Sequence, residues 1–200
     1  RVLRGLLLLS KCLASFGVEA SAPCAALSRP GMEAYAARHG YDLCLDHVPT
    51  LRPWSYAKIP LLIDLLGTYD EVLWLDADVL IRDGRWDIAD FVPSDAAHAL
   101  RVHHTYEGHV PNCGVWFLAK EALPLLDKVL ALYDAYRHHK WWEQGAVISL
   151  LGEHPSFNLS TWWNWCEHDS RRGDEEHACF RHYCGMPNRL DLMRRDLGLV

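Results

Sequence analysis

Apolar residues run from Val72 to Leu75, break at Asp76 and Asp78, and resume at once with Val79-Leu-Ile81. A run of this kind predicts a strand buried on both faces. Elements of both periods surround it. Residues 32–39 have helical density and end at Gly40, the place of a left-handed C-terminal glycine, and 41–45 reads as a short strand. Ser55 predicts the N-cap of a helix over 57–66, with Pro60 in its first turn and Gly67 closing it. Residues 82–95 read as a loop with a short helix, 97–102 as a strand, 103–111 as a loop opened by His103-His104, and 112–118 as a turn feeding a strand. Leu123, Leu126, Val129, Leu130 and Tyr133 recur at three and four, predicting the clearest helix over 121–138. Trp141 to Gly145 introduces another helix through Leu151; a Trp-rich loop, a strand over 178–183 and a helix over 189–197 follow. The first 30 residues are less regular: 2–9 predicts a first strand cut short at Ser10 and Lys11, 18–27 has no clear period, and Ser28-Arg-Pro-Gly31 predicts a turn. Helix, glycine and strand alternating in this order predict an α/β fold.

Within this frame Asp76 and Asp78 are the chemical anomaly. Charges at the end of a buried strand are costly unless something compensates them. Residues i and i+2 of an extended segment share a face, so both carboxylates can serve one ligand, and a divalent cation is the simplest compensation. The carboxyl end of a central strand is also where open α/β sheets bind ligands. The competing reading is that the pair only begins a turn or caps a helix.

Composition narrows the classes. Two hundred residues, half of them apolar, predict one globular domain with a real core. A net charge of −6 without a Lys/Arg cluster argues against a nucleic-acid binder led by phosphate contacts. No apolar run approaches the ~20 residues a bilayer span needs. The chain opens on Arg1 and not on Met, which leaves room for an upstream segment. Nine Trp suit a core and, in part, a sugar-stacking surface. Seven Cys, odd in number and without a CxxC pair, do not form a disulfide framework and pack as small hydrophobes. His177, Cys179, His182 and Cys184 alternate too closely for the usual structural zinc spacings.

Five elements then fall in order: Tyr-Ala-Lys58, Leu-Asp76-Ala-Asp78, Asn112-Cys-Gly114-Val, Glu143-Gln144, and His182-Tyr-Cys-Gly185. Over residues 32–189 the chain resembles the metal-dependent, nucleotide-sugar glycosyltransferases of the GT-A fold. The likeness is to the glycogenin and bacterial lipopolysaccharide galactosyltransferase group, and to the related yeast- and plant-type galactosyl-, mannosyl- and xylosyltransferases. It implies a Rossmann-like three-layer α/β/α domain over residues 1–200 with a mixed, mainly parallel sheet, and a divergent N-terminal part over 1–30. By the resemblance, Asp76, Asp78 and His182 would hold Mn²⁺ or Mg²⁺, with Asp76 also meeting the ribose. Lys58, Asn112, Gly114, Gly185 and Arg189 would lie against a UDP- or GDP-sugar donor, and Glu143 and Gln144 below its anomeric carbon. The implied partners are that donor and a glycan or other hydroxyl acceptor; the implied reaction is retaining hexosyl or pentosyl transfer. A bacterial relative would be cytosolic, a eukaryotic one Golgi-associated.

The chain departs from the family at three places. Glu143 stands where Asp is usual, Asn188 and then Arg189 stand where a Lys follows the His-x-x-Gly element, and residues 1–30 do not match the usual nucleotide-binding first strand. A catalytically inactive nucleotide-sugar or glycan-binding module therefore remains a rival. So does a phosphohydrolase of the haloacid dehalogenase type, although its Asp-x-Asp usually opens the domain and carries Thr or Val where this chain has Leu80.

Overall fold

A computed structural model describes residues 9–105, 107–173 and 175–200. The strand expected over 2–9 lies, but for Leu9, outside the described residues. The first described strand, β1 (Lys11–Ala14), starts where the apolar run was expected to stop. Cys12 and Ala14 enter one core and Leu13 the other, so the strand is buried on both faces.

Helix α1 (Ala22–His39) runs straight through the expected turn, with Pro30 inside it, and ends at Gly40 with φ 71°. An internal proline costs a helix about 3 kcal/mol. Cys24, Ser28, Met32, Tyr35 and Ala36 are buried along one face, and burying a side chain the size of Met recovers about 1.5–3 kcal/mol. Tertiary packing thus overrides the local Ser-Arg-Pro-Gly signal.

Strand β2 (Asp42–Cys44) is followed by α2 (Lys58–Thr68), which begins three residues after Ser55 with no side-chain cap and passes through Gly67. The long Asp-Asp run divides into β3 (Glu71–Leu75) and β4 (Val79–Ile81). Strands β5 (His98–Thr105) and β6 (Gly108–Ala119) pair as a hairpin through the expected 103–111 loop, His103 opposite Val110 and His104 opposite His109. The expected 121–138 helix is interrupted at Leu132, giving α3 (Leu123–Ala131) and α4 (Tyr133–Tyr136). Helix α5 (Trp142–Leu150), β7 (Ser156–Asn158), β8 (Phe180–His182) and α6 (Arg189–Asp196) complete the order.

Among the described residues, six strands form one sheet in the order β2-β1-β3-β6-β5-β7. The sheet is mixed and mainly parallel: β1 runs parallel to β2 and β3, β7 parallel to β5, and only β6 runs against its neighbours β3 and β5. Val72 and Trp74 of β3 face a core with α2, α3 and α5, while Leu73 and Leu75 face a second core with α1. Period-two alternation therefore feeds two apolar layers, the α/β/α arrangement expected. Among the described residues no helix is long and apolar enough to cross a membrane.

One core histidine carries a pH dependence. His98 is fully buried, its Nδ1 accepts from Trp116 Nε1 at 3.2 Å, and its Nε2 has no partner. Burial, helped by the charge of His154, pushes its pKa down to about 4 from 6.5. Between those values the unfolded chain takes up a proton that the folded chain refuses, so stability falls as pH drops through the window, by up to roughly 3 kcal/mol. Urea denaturation at stepped pH should show a steeper loss in the wild type than in His98→Asn; equal slopes would refute the assignment.

Candidate functional site

A cavity of about 630 Å³ opens beyond the carboxyl ends of the parallel strands β1 and β3. Its wall is built from the turn after β3. Gly114 O of β6 accepts from Asp76 N–H at 2.7 Å, extending the ladder one residue past Leu75, and Val79 N–H then bonds Asp76 O at 3.0 Å. That turn sends β4 out of the main sheet to pair with β8, where Val79 lies opposite His182. A histidine more than a hundred residues downstream is thereby set beside the two aspartates. The turn weighed as the competing reading of Asp76 and Asp78 is present, and it is what brings the two carboxylates together.

Each carboxylate is split between a structural and an open oxygen. Asp76 Oδ1 accepts from Trp74 Nε1 at 2.7 Å and from Lys58 Nζ at 2.8 Å. Asp78 Oδ2 lies 3.5 Å from Arg189 Nη1. The other oxygens, Asp76 Oδ2 and Asp78 Oδ1, lie 3.9 and 3.3 Å from His182 Nε2. On the far side of the ring, His182 Nδ1 is 3.2 Å from Asn164 Oδ1. Asn164 Nδ2 donates to Asn112 Oδ1, which also accepts from Gly114 N–H. With Nδ1–H donating to Asn164, Nε2 is left facing the carboxylates, where it shares a proton with Asp78 or, once deprotonated, can ligate a cation.

The electrostatics agree. Burial opposes charge on Asp78, yet the hydrogen bond and charge of His182, then Arg189, hold its carboxyl below the usual range. Burial also opposes charge on His182, yet Asp78 and then Asp76 raise its pKa. Two carboxylates thus attract positive charge to the point between them. Asp76, Asp78 and His182 offer ligand atoms all within 4.8 Å of one another, the group of this kind among the described residues. Carboxylate oxygens plus one imidazole suit a divalent cation of the Mn²⁺ or Mg²⁺ kind.

Gly114 serves this centre in a specific way. A Cβ there would stand 2.0 Å from His182 Cε1 and 2.7 Å from its Nδ1. The missing side chain is what leaves room for the Cε1 corner of the imidazole against β6.

Lys58 and Glu143 form a buried layer behind the pair. Lys58 Nζ is 3.1 Å from Glu143 Oε1, and both side chains are almost fully buried. Burial works against the lysine's charge, but Asp76 and then Glu143 more than compensate and raise its pKa. Lys58 is therefore no solvated helix residue. Glu143 Oε2 is buried without a hydrogen-bond partner. The residue before it, Trp142, adopts φ 43°, a strained value for a bulky side chain, and is half exposed at the cavity mouth. Gln144 Oε1 accepts from Cys113 N–H at 3.3 Å. Gly185, with φ 68°, turns the chain from His182 toward α6 and Arg189. All ten residues singled out in the sequence, Lys58, Asp76, Asp78, Asn112, Gly114, Glu143, Gln144, His182, Gly185 and Arg189, line this one cavity.

Trp74, His103, Cys166 and Cys184 line it as well, and Asn164 holds His182 from behind; of these, Trp74, Asn164 and Cys166 carried no sequence signal as site residues. Asn164 sits in the Trp-rich loop, where nothing in the spacing marks it. The zinc alternative is excluded by placement: His177 stacks on Trp162 and Cys179 is packed in the α1-side core, away from His182. Of the late tryptophans, Trp163 and Trp165 are buried and Trp162 is half exposed.

Sequence comparison finds no matching family model and no matching curated protein. Solved structures do match. A glycosyltransferase involved in glycosylation of the major capsid of PBCV-1 superposes with a TM-score of 0.74 at 19% identity, over 92% of this chain and 99% of that one. The fold is that of the GT-A glycosyltransferases. The galactosyltransferase LgtC, in complex with donor and acceptor sugar analogs, gives a TM-score of 0.63 at 16% identity over 94% of each chain. GlyE of Streptococcus pneumoniae gives 0.63 at 14% identity, this chain spanning 56% of its length. Asp76 and Asp78 follow β3, the third described strand, which is central in the sheet.

Proposed function

We propose that this chain is a divalent-metal-dependent glycosyltransferase that moves a hexose or pentose from a UDP- or GDP-sugar to a hydroxyl of a glycan or other acceptor, with retention of configuration. The observation that carries the reading is the convergence of Asp76 Oδ2, Asp78 Oδ1 and His182 Nε2 in one cavity whose wall also holds a buried acid, Glu143. Bound there, Mn²⁺ or Mg²⁺ would stabilise the negative charge left on a departing nucleoside diphosphate. Arg189, at the N-terminus of α6, adds a cation on the same wall. Asp76 and Lys58 act together: the lysine holds the Oδ1 edge so that the Oδ2 edge stays turned to the ligand. Glu143 has one oxygen on Lys58 and one unpaired; in a dry wall such an oxygen stabilises positive charge developing at an anomeric carbon. Gln144, oriented by Cys113 N–H, presents its amide beside it. Glu143 reaches this wall from the second residue of α5.

A panel of UDP- and GDP-sugars incubated with Mn²⁺ tests the reading. Slow hydrolysis of one donor, accelerated by a hydroxyl acceptor and abolished by chelation, is the expected result. Binding of a donor without hydrolysis or transfer would make the chain a non-catalytic module, and turnover of generic phosphoesters without nucleotide-sugar binding would make it a phosphohydrolase.

A further inference from the structure

Behind the cation centre, two segments run side by side. Trp165 bridges Arg181, and His182 N–H bonds Trp165 O at 2.8 Å. One residue beyond Trp165 and two beyond His182, the thiols of Cys166 and Cys184 meet with sulfurs 2.9 Å apart, one donating to the other. Both line the cavity; Cys166 is buried and Cys184 partly open to it. Asn112 Nδ2 lies 3.9 Å from the Cys184 sulfur. Neither thiol has a part in the sugar-transfer chemistry proposed above.

We propose that Cys166 and Cys184 are a redox-active dithiol, a modification site on the cavity wall, and that their oxidation to a disulfide weakens cation binding at Asp76, Asp78 and His182. The second half rests on the metal-site reading; the first does not. The oxidant is a low-molecular-weight disulfide. The Cys184 thiolate, reachable from the cavity, attacks one of its sulfurs; that S–S bond breaks and one thiolate leaves and takes a proton. The Cys166 thiolate then attacks the Cys184 sulfur of the mixed disulfide, expelling the second thiol. Two protein thiols are oxidised, one small disulfide is reduced to two thiols, and the balance closes. The coupling to the cation site is geometric. A disulfide bond is about 2.0 Å long, so closing it draws together the segments that carry His182 and Asn164, which lie two residues before Cys184 and Cys166. Ligand constellations tolerate displacements of about 0.5 Å, and loss of a ligand's supporting geometry typically costs about 10–100-fold in metal affinity.

The experiment uses the full chain, treated with oxidised glutathione or with dithiothreitol, alkylated, and mapped by peptide mass spectrometry, with Mn²⁺ binding followed in parallel by electron paramagnetic resonance. A linked Cys166–Cys184 peptide after oxidation, reversed by dithiothreitol, is expected, together with Mn²⁺ affinity about tenfold weaker in the oxidised chain. Cys166→Ser should make Mn²⁺ affinity insensitive to the oxidant. Failure to find the linked peptide overturns the thiol site. A linked peptide with unchanged Mn²⁺ affinity overturns the coupling. A chain that binds no Mn²⁺ in either state overturns the metal reading and the coupling with it, while the peptide map still decides the dithiol.

Discussion

Asp78→Asn should abolish Mn²⁺-dependent binding of the nucleotide sugar. The substitution keeps the side chain's shape and removes the charge. In the native chain Asp78 is buried, with Oδ1 toward His182 and Oδ2 toward Arg189. An amide there offers one neutral oxygen in place of an anionic pair and turns an N–H₂ toward either the arginine or the cation site. Removing groups that merely orient a ligand costs about 10–100-fold in metal affinity, so loss of a ligand itself should cost at least about 100-fold. A thermal-shift titration of UDP- and GDP-sugars with and without Mn²⁺ reads the effect. The wild-type midpoint should rise only when both are present, and Asp78→Asn should show no such rise while unfolding in a single transition of its own. Undiminished Mn²⁺-dependent stabilisation in the variant would sink the assignment. Asp76→Asn should be as severe for donor binding, because it also removes the charge that pairs with the buried Lys58 on Oδ1.

Gly114→Ala should be nearly as damaging, though it touches no charge. The new methyl group would overlap the His182 ring, with Cε1 only 2.0 Å away. The ring has little room to retreat, being almost fully buried and held by Asn164 on its other edge. The backbone has little either, because Gly114 O is bonded to Asp76 N–H at 2.7 Å. Overpacking of this kind typically costs about 1–3 kcal/mol. Displacing the imidazole should also lower Mn²⁺ affinity by about 10-fold or more. A double-mutant cycle isolates the cause: in a His182→Ala background the methyl group has space, so the stability cost of Gly114→Ala measured by urea denaturation should largely vanish. An equal cost in both backgrounds would show that the glycine serves the strand and not the histidine.

Much of the candidate site was legible before the fold was known, for identifiable reasons. Asp76 and Asp78 interrupt an apolar run, and charge in such a place demands compensation whatever the tertiary structure. Lys58 and Glu143 were harder, since each also reads as an ordinary helix residue; only their 3.1 Å contact and burial show a paired layer. Trp74 looked like core and is core, yet its indole N–H also anchors Asp76. Asn164 and the pairing of the two thiols were invisible, because both depend on a neighbouring segment and not on any spacing along the chain.

The elements show the same division. Alternation within β3 and the glycine stop at Gly40 were readable because strand pleat and left-handed caps are local properties. The turn expected at Ser28-Arg-Pro-Gly31 became helix because burial of Met32 and Tyr35 outweighs one proline, and the loop expected after His103 became a hairpin because β6 extends to meet it. By itself the sequence determined the two-faced central strand, the α/β alternation, and a pair of carboxylates that must find a cation or a proton. Only the tertiary structure decided that β4 leaves the main sheet, pairs with β8 and so delivers His182 to that pair. The physical reason is that a ligand set is a distance condition among segments remote in the chain, met when hydrogen-bonded ladders fix their register.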